Sequence, residues 1–135
     1  MALTGHCMCG AVTYRCDADP IFTAVCHCTD CQHQTGTAAS IVVGVPAAAL
    51  SVSGDTLRRF TTMSDDSGPT HREFCSACGS PIVSRKDAAP DVVYLKAGTL
   101  DDTSTLAPTL EVWGRSAQPW VATAPGATRL ERGPS

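Results

Sequence analysis

The 135-residue sequence is poor in aromatic and charged side chains, and each shortage excludes a class of protein. Only 5% of the residues are aromatic, so the core has few large rings to bury and needs another source of stability. Basic residues occur in nothing longer than pairs such as Arg58-Arg59, the net charge is -3, and the pI is about 5.7. Without a clustered basic face, we expect no nucleic-acid partner.

Long apolar runs and an export signal are also missing. No segment approaches the roughly 20 consecutive apolar residues that cross a bilayer, so no membrane span is expected. The first residues, Met1 to His6, do not combine a basic segment with an apolar one as a secretory signal does. We therefore expect a cytoplasmic location, where neighbouring thiols more often bind metal than form disulfides. A domain held by four disulfides is the alternative.

Eight cysteines are the most prominent feature that is present, and seven of them fall into three clusters. The clusters are Cys7-x-Cys9, Cys26-x-Cys28-x2-Cys31 and Cys75-x2-Cys78. A structural zinc site usually takes four protein ligands, whereas a catalytic zinc site takes three and leaves one position open. Seven ligands therefore divide into one closed site and one open site, which predicts two zinc ions per chain.

The closed site is predicted to consist of Cys7, Cys9, Cys75 and Cys78, here called the four-cysteine cluster. The short spacer between Cys75 and Cys78 lets both sulfurs approach one ion, and Gly79 supplies the positive φ that closes such a turn. Cys7 and Cys9 can complete the tetrahedron, because residues two apart on an extended segment point the same way. Closing this long loop would stabilise the domain.

Cys26, Cys28 and Cys31 form the predicted open site, here called the three-cysteine centre. Three thiols from one short segment can face a single ion from one side and leave its other side accessible. Alternation along an extended segment places His27 opposite Cys26 and Cys28, so we do not expect it to bind the ion. The alternative is a second closed site with a fourth ligand from elsewhere in the chain.

Short β-rich runs between glycines and prolines dominate the rest of the chain and predict a mainly β, antiparallel fold. The predicted strands cover residues 11–16, 21–26, 40–45, 50–53, 56–62, 71–75, 81–84, 92–97 and 109–113. One or two short helical turns complete the prediction. They cover residues 29–35, capped by Thr29 or Asp30, and residues 46–50, which begin with proline.

One zinc-binding β domain is predicted over residues 1–121, followed by a flexible C-terminal tail over 122–135 that is small, polar and proline-bearing. Within the domain, Cys16 aligns with Val12 and Tyr14 on one face of the first predicted strand. This position is typical of a buried core thiol, not of a ligand. The sequence shows no heptad pattern or apolar stripe, so it does not predict the oligomeric state.

The cysteine clusters and their neighbours resemble the glutathione-dependent formaldehyde-activating enzyme family, which includes the domain type of centromere protein V. The matching segments are Gly5–Val12, Cys26–Cys31 and Phe74–Gly79, with Gly36, Val112-Trp113 and Pro119-Trp120 as further matches. The resemblance covers about residues 3–121. It implies a small zinc-bearing β-tent fold and the same division into a structural and a catalytic zinc site.

The resemblance also implies an enzyme of the carbon–sulfur lyase type. Its family activity joins a thiol, glutathione, to an aldehyde, formaldehyde, with Cys26, Cys28 and Cys31 at the catalytic zinc. Small-molecule thiols and aldehydes are therefore the expected partners. Two positions differ from the family pattern: Gln32 stands where relatives often carry a basic residue, and Glu111 stands where a histidine is expected.

Two other functions stay open from the sequence. In one, both zinc sites are structural in a non-catalytic binding module, and a fourth ligand such as His33 or Glu73 at the three-cysteine centre would favour it. In the other, the centre is a thiol redox sensor that releases its metal on oxidation. For the enzyme, Asp30, His33 and Glu73 are the candidate proton donors. Three thiolates outweigh the charge of zinc, which favours thiol chemistry over hydrolysis.

Overall fold

The computed structural model describes residues 2–64 and 67–133, and within these ranges the chain forms eleven strands and one α-helix. The strands are β1 (Leu3–His6), β2 (Thr13–Cys16), β3 (Phe22–Cys26), β4 (Ser40–Pro46), β5 (Leu50–Ser53), β6 (Leu57–Ser64), β7 (Gly68–Cys75), β8 (Pro81–Lys86), β9 (Val92–Lys96), β10 (Leu110–Val112) and β11 (Thr128–Arg129). Helix α1 spans Thr29–Thr35, and short 3-10 turns cover Ala47–Ala49, Ala97–Thr99 and Gly114–Ser116. No helix in the described ranges is long and apolar enough to cross a membrane.

The strands form two sheets that enclose the core. The smaller sheet has the order β1-β2-β5, and the larger has the order β11-β10-β3-β4-β9-β8-β7-β6. In the larger sheet, Leu95 of β9 is the cross-strand partner of Val43 on one side and of Val83 on the other. These three residues belong to one buried cluster with Tyr14 and Cys16 of β2. The mainly β fold is therefore confirmed, and Cys16 is a buried free thiol, as predicted.

Alternation along the strands of the larger sheet separates this core from a cavity on the opposite face. In β4, Val43 belongs to the core, whereas Val42 lines the cavity. The same holds in β9, where Leu95 belongs to the core and its neighbours Tyr94 and Lys96 line the cavity. A shift of one residue in register would exchange the two sets, so the apolar core specifies which side chains reach the cavity.

The antiparallel prediction is correct for most strand pairs but not for β10. This strand pairs in parallel with both β3 and β11. Parallel pairing requires a crossover rather than a hairpin, and β3 and β10 are far apart in the sequence. No local turn therefore indicated their relative direction.

The C-terminal segment, predicted as a flexible tail, contacts the larger sheet in its described part, residues 122–133. Strand β11 pairs with β10, and the Arg129 side chain donates to Glu111. The backbone N–H of Trp113 donates to the Arg132 carbonyl at 3.0 Å. The sequence does not predict these contacts, because a two-residue strand is too short to show alternation. The division into a domain and a tail stays a prediction.

Candidate metal centres and adjoining cavity

The first cysteine group contains Cys7, Cys9, Cys75 and Cys78, and its four sulfur atoms all lie within 4.8 Å of one another. The Sγ atom of Cys9 is 3.6 Å from that of Cys7 and 3.8 Å from that of Cys75. A tetrahedral zinc ion with Zn–S bonds of about 2.3 Å would hold its sulfurs about 3.8 Å apart. The four-cysteine cluster therefore has the composition and spacing to bind a metal ion.

Hydroxyl groups and a tight turn support the thiolate form of Cys75 and Cys78. At Cys9, by contrast, a backbone hydrogen bond is outweighed by the neighbouring sulfurs and burial, which raise the pKa of that thiol to about 11. The Thr56 hydroxyl lies 3.1 Å from the Sγ of Cys75 and lowers the pKa of that thiol. The Ser80 hydroxyl, 3.2 Å from the Sγ of Cys78, and nearby backbone N–H groups lower the pKa of Cys78 to about 5. Gly79 has a φ of 82° and donates to the Cys75 carbonyl at 2.7 Å, which closes the turn as predicted.

The second group, Cys26, Cys28 and Cys31, lies at the junction of β3 and α1, with its sulfurs also within 4.8 Å of one another. Cys28 is the N-cap of α1, because its Sγ accepts a hydrogen bond from the backbone N–H of Cys31 at 3.3 Å. The sequence predicts Thr29 or Asp30 as the cap, which is one or two residues too late. The sulfur takes the place of the usual hydroxyl or carboxylate, and the cap brings two sulfurs together.

No histidine or carboxylate in the described ranges joins these three sulfurs as a fourth ligand. Glu73, one candidate from the sequence, lies 2.6 Å from Arg59 and 3.3 Å from Arg85 on the opposite face of the larger sheet. His33, the other candidate, lines a separate cavity of about 240 Å³. One side of the three-cysteine centre is therefore free of protein ligands within the described residues.

His27 is fully buried and is not part of the sulfur group, in agreement with the alternation of the sequence. Its Nε2 lies 2.7 Å from Oε1 of Glu111, the residue that replaces the histidine expected from the family pattern. Glu111 also accepts hydrogen bonds from Arg129 at 2.9 Å and from the Ala124 N–H at 2.6 Å. Burial opposes ionisation, but these hydrogen bonds hold the pKa of Glu111 below its usual value. The carboxylate thus connects the cysteine loop to the C-terminal segment.

Gln32 supports the same loop from the helix side. Its Nε2 donates to the backbone carbonyls of His27 at 2.7 Å and of Ser116 at 3.0 Å. Its Oε1 in turn accepts a hydrogen bond from Gln118 at 2.7 Å. In this chain the position therefore links the cysteine loop to the turn after β10, whereas a basic residue there could not accept that last hydrogen bond.

A cavity of about 720 Å³ opens beside the three-cysteine centre, and all three cysteines line it. Its floor is the face of the larger sheet opposite the core. The apolar part of the lining consists of Phe22, Ala24, Val42, Met63, Tyr94, Leu110, Val112 and Trp113. The positively charged lining residues are Arg72, Lys86, Lys96 and Arg115, and Asp30 contributes a carboxylate.

Arg72 and Lys96 differ from the other cations because each is only 6% exposed. The Nζ of Lys96 donates to Ser40 Oγ at 2.7 Å, and Ser40 is the cross-strand partner of Cys26. Burial lowers the pKa of Lys96, while negative charge on Cys31 opposes that shift. Hydrogen bonds from the neighbouring cysteines, together with the positive charges of Lys96 and Arg72, lower the pKa of Cys31.

Sequence reasoning missed both cations as site residues. Lys96 ends the apolar run of β9, and this single charge after four apolar residues was the one signal in the sequence. Arg72 lies in a strand that also contains His71 and Glu73, so nothing distinguished it from a surface residue. Their shared location follows only from the register across β7, β8 and β9.

A comparison with protein families matches residues 2–116 to the family described as glutathione-dependent formaldehyde-activating enzyme. Among solved structures, a crystal structure of a Rhodobacter sphaeroides protein, a structural genomics target, is similar to this chain with a TM-score of 0.60. The two are 18% identical, and the match covers 76% of this chain and 91% of that one, so the likeness concerns the fold alone. No curated protein matches the chain.

Proposed function

The chain belongs to the glutathione-dependent formaldehyde-activating enzyme family, and we propose that it is a zinc-dependent enzyme of the carbon–sulfur lyase type. It would add a thiol such as glutathione to a small aldehyde such as formaldehyde. The observation that carries this proposal is the difference between the two cysteine groups. One has four mutually close sulfurs, whereas the other has three beside a cavity of about 720 Å³. Three protein ligands with an open position are typical of catalytic zinc.

We propose two zinc ions per chain. The four-cysteine cluster would bind the structural ion, and Cys26, Cys28 and Cys31 would bind the other at the catalytic site. The donors fit this assignment, since soft thiolate ligands and tetrahedral sulfur spacing are typical of zinc. At the three-cysteine centre, zinc would supply a positive charge that keeps an incoming thiol deprotonated at neutral pH.

The cavity provides room for both reactants beside the three-cysteine centre. Its volume lies within the range of about 300–1,000 Å³ that is common for small-molecule sites. Apolar side chains such as Phe22 and Trp113 form part of its lining. The sulfur electron pair of the thiol forms the new bond to the carbonyl carbon, and the carbonyl oxygen takes up the negative charge and then a proton. Of the three proton donors suggested by the sequence, Asp30 lines this cavity.

The competing function, a non-catalytic module with two structural sites, has less support. It needs a fourth protein ligand at the three-cysteine centre, and the described residues contain none within reach of all three sulfurs. A small thiol and a small aldehyde are therefore the proposed partners. The net charge of -3 argues against nucleic acid, and the cytoplasmic location stays a prediction.

The test is the rate at which formaldehyde exchanges with its glutathione adduct. Because the two compounds also combine without a catalyst, exchange NMR with 13C-labelled formaldehyde would compare zinc-loaded protein with buffer alone. We expect the wild type to accelerate the exchange, Cys28→Ser to lose the acceleration, and Cys16→Ala, which changes a thiol outside both groups, to keep it. Equal rates for wild type and buffer would reject the proposed activity.

A further inference from the structure

We propose that Arg72 and Lys96 form an oxyanion-binding site inside the cavity, and that in the reaction this site binds the aldehyde oxygen as it becomes negative. The proposal rests on the proposed function for the identity of the oxyanion. The existence of the site rests on the two cations themselves, so the two ideas can fail separately.

Both cations are buried without a carboxylate partner. Within residues 2–64 and 67–133, no ion pair links either side chain to an aspartate or glutamate. Lys96 donates to the hydroxyl of Ser40, and Arg72 donates from one terminal nitrogen to the hydroxyl of Thr62, both at 2.7 Å. These acceptors are neutral, whereas buried charges are normally paired with opposite charge. Among the described residues, the negative charge that Lys96 and Arg72 meet therefore comes from the three-cysteine centre and not from a carboxylate.

The guanidinium of Arg72 also has an unused donor. Its Nε is buried and has no hydrogen-bond partner among the described residues. Buried N–H groups are almost always satisfied, by protein, by water or by a ligand. Arg72 lines both the main cavity and the smaller cavity beside His33, and an oxyanion bound in the main cavity could accept from this group.

The charge around the three-cysteine centre favours an additional anion. With zinc bound, three thiolates would outweigh the divalent ion by one negative charge, and protonated Lys96 together with Arg72 would reverse the sign of that sum. The other charged lining residues, Asp30, Lys86 and Arg115, are more exposed to solvent. Their influence at the centre is therefore weaker, because solvent screens it.

The position of Lys96 points to the reacting oxygen and not to a distant substrate carboxylate. Lys96 donates to Ser40, which lies directly across from Cys26, and its charge interacts with all three cysteines of the centre. When a thiolate attacks the carbonyl carbon, a C–S bond forms and the π electron pair moves onto oxygen, which becomes an alkoxide. Fixed donors near that oxygen stabilise the developing charge. A proton, supplied by Asp30 or by water, then gives the neutral hydroxymethyl adduct, and nothing is oxidised or reduced.

Formate is a suitable probe for the site, because it is the smallest carboxylate oxyanion. Calorimetric titration of the zinc-loaded protein should show binding that Lys96→Met and Arg72→Gln each weaken by about 10- to 100-fold, as expected for loss of a hydrogen bond from a charged donor. Zinc content and circular dichroism would verify that each variant is folded.

Lys86→Met is the matched control. Lys86 also lines the cavity, but its Nζ lies 5.7 Å from the Tyr94 ring centre and it is less buried than Lys96. Removing this charge should change formate affinity by less than about threefold, because solvent screens it. Equal effects in all three variants, or no effect in Lys96→Met and Arg72→Gln, would overturn the proposal.

Steady-state kinetics distinguish whether the site binds the aldehyde oxygen or a carboxylate of the substrate. With both glutathione and 2-mercaptoethanol, which has no carboxylate, Lys96→Met should lower kcat about 100-fold and leave the KM for thiol nearly unchanged. If only the KM for glutathione rises, the site binds a substrate carboxylate and the assignment to the aldehyde oxygen is wrong. If no thiol gives turnover but formate binding depends on both cations, the anion site is supported and the proposed function fails.

Discussion

Glu111 connects three parts of the chain through one carboxylate. It is 1% exposed and receives hydrogen bonds or ion pairs from His27 in the cysteine loop, Arg129 in β11 and the backbone of Ala124. Because His27 lies between two cysteines of the three-cysteine centre, this network orients the loop from the side opposite the cavity. Glu111 is therefore a positioning residue: it belongs to neither sulfur group and does not line the main cavity.

Replacing this carboxylate should destabilise the folded protein. We expect Glu111→Gln to lower the free energy of unfolding by about 3–5 kcal/mol, because fully buried His27 and partly buried Arg129 would both lose the carboxylate that pairs with them. Urea unfolding of the zinc-loaded protein measures the change. The control is Glu73→Gln, since Glu73 is also nearly buried but its partners Arg59 and Arg85 are 48% and 33% exposed and neither is fully buried as His27 is. Its loss should be about 1 kcal/mol. Equal losses would contradict the role given to Glu111.

The sequence predicts the grouping of the cysteines but not the residues that surround them. Spacing alone separates the three-cysteine centre from the other four thiols, because each short spacer restricts which sulfurs can meet. The meeting of Glu111 with His27 depends on the parallel register of β10 and β3, which no local pattern shows. Lys96 and Arg72 likewise meet only through the order of three strands.

At the scale of elements, the two cysteine groups lie in different kinds of structure. The four-cysteine cluster joins the turn after β1 to the turn between β7 and β8, so it connects segments 66 residues apart. The three-cysteine centre belongs to one short strand-to-helix junction, and α1 ends at Gly36, whose N–H donates to Gln32 at 2.9 Å. Loss of a metal should therefore affect the whole fold in the first case and one junction in the second.

Single substitutions in the two groups test this difference. We expect Cys78→Ser to lose the structural ion and unfold, because the long loop would no longer be closed. Cys28→Ser should lose one ion and keep the fold. Metal analysis with circular dichroism measures both effects, and Cys16→Ala should keep both ions because Cys16 belongs to neither group. Unfolding in both Cys78→Ser and Cys28→Ser would argue against separate roles.

The C-terminal segment provides the second test at this scale. A chain ending at residue 121 lacks β11, Arg129 and the Ala124 N–H, which leaves Glu111 buried with His27 as its partner among the described contacts. We expect a loss of about 3–5 kcal/mol in the free energy of unfolding. Thermal unfolding and zinc retention would be compared with a chain ending at residue 133. Identical behaviour would mean that the segment is dispensable, as a flexible tail would be.

Elements with a strong side-chain pattern are the ones that the sequence predicts well. The β-branched run in β4 and the apolar run in β9 indicate buried central strands, and α1 has the predicted bounds. Strand β1 was missed because Leu3–His6 contains a glycine and has no clear alternation. These four residues are held by pairing with β2, which is a tertiary effect.

At the scale of the molecule, the two faces of the larger sheet differ, because one forms the core and the other lines the cavity. One face packs against the smaller sheet and contains small aliphatic residues such as Val43 and Val83, while the other lines the cavity with buried charges. A core built from such small side chains provides limited stability for a chain of this length. With a metal ion bound, the four-cysteine cluster would connect the two sheets through metal–sulfur bonds, and this would leave the cavity face free for charges that do not stabilise the fold.

Stepwise removal of metal tests this separation in the whole protein. With increasing chelator, we expect one zinc ion to leave first, from the three-cysteine centre, because it has three protein ligands and lies beside the cavity. Secondary structure should persist at this stage, and removal of the second ion should coincide with unfolding. A metal-sensitive dye and circular dichroism, recorded on the same sample, measure both steps.

The variant Cys28→Ser serves as the control, because it should lack the first step and retain the second. Release of both ions together with unfolding would show that the two centres stabilise the fold as one unit, and the cavity would then have no separately bound metal for chemistry.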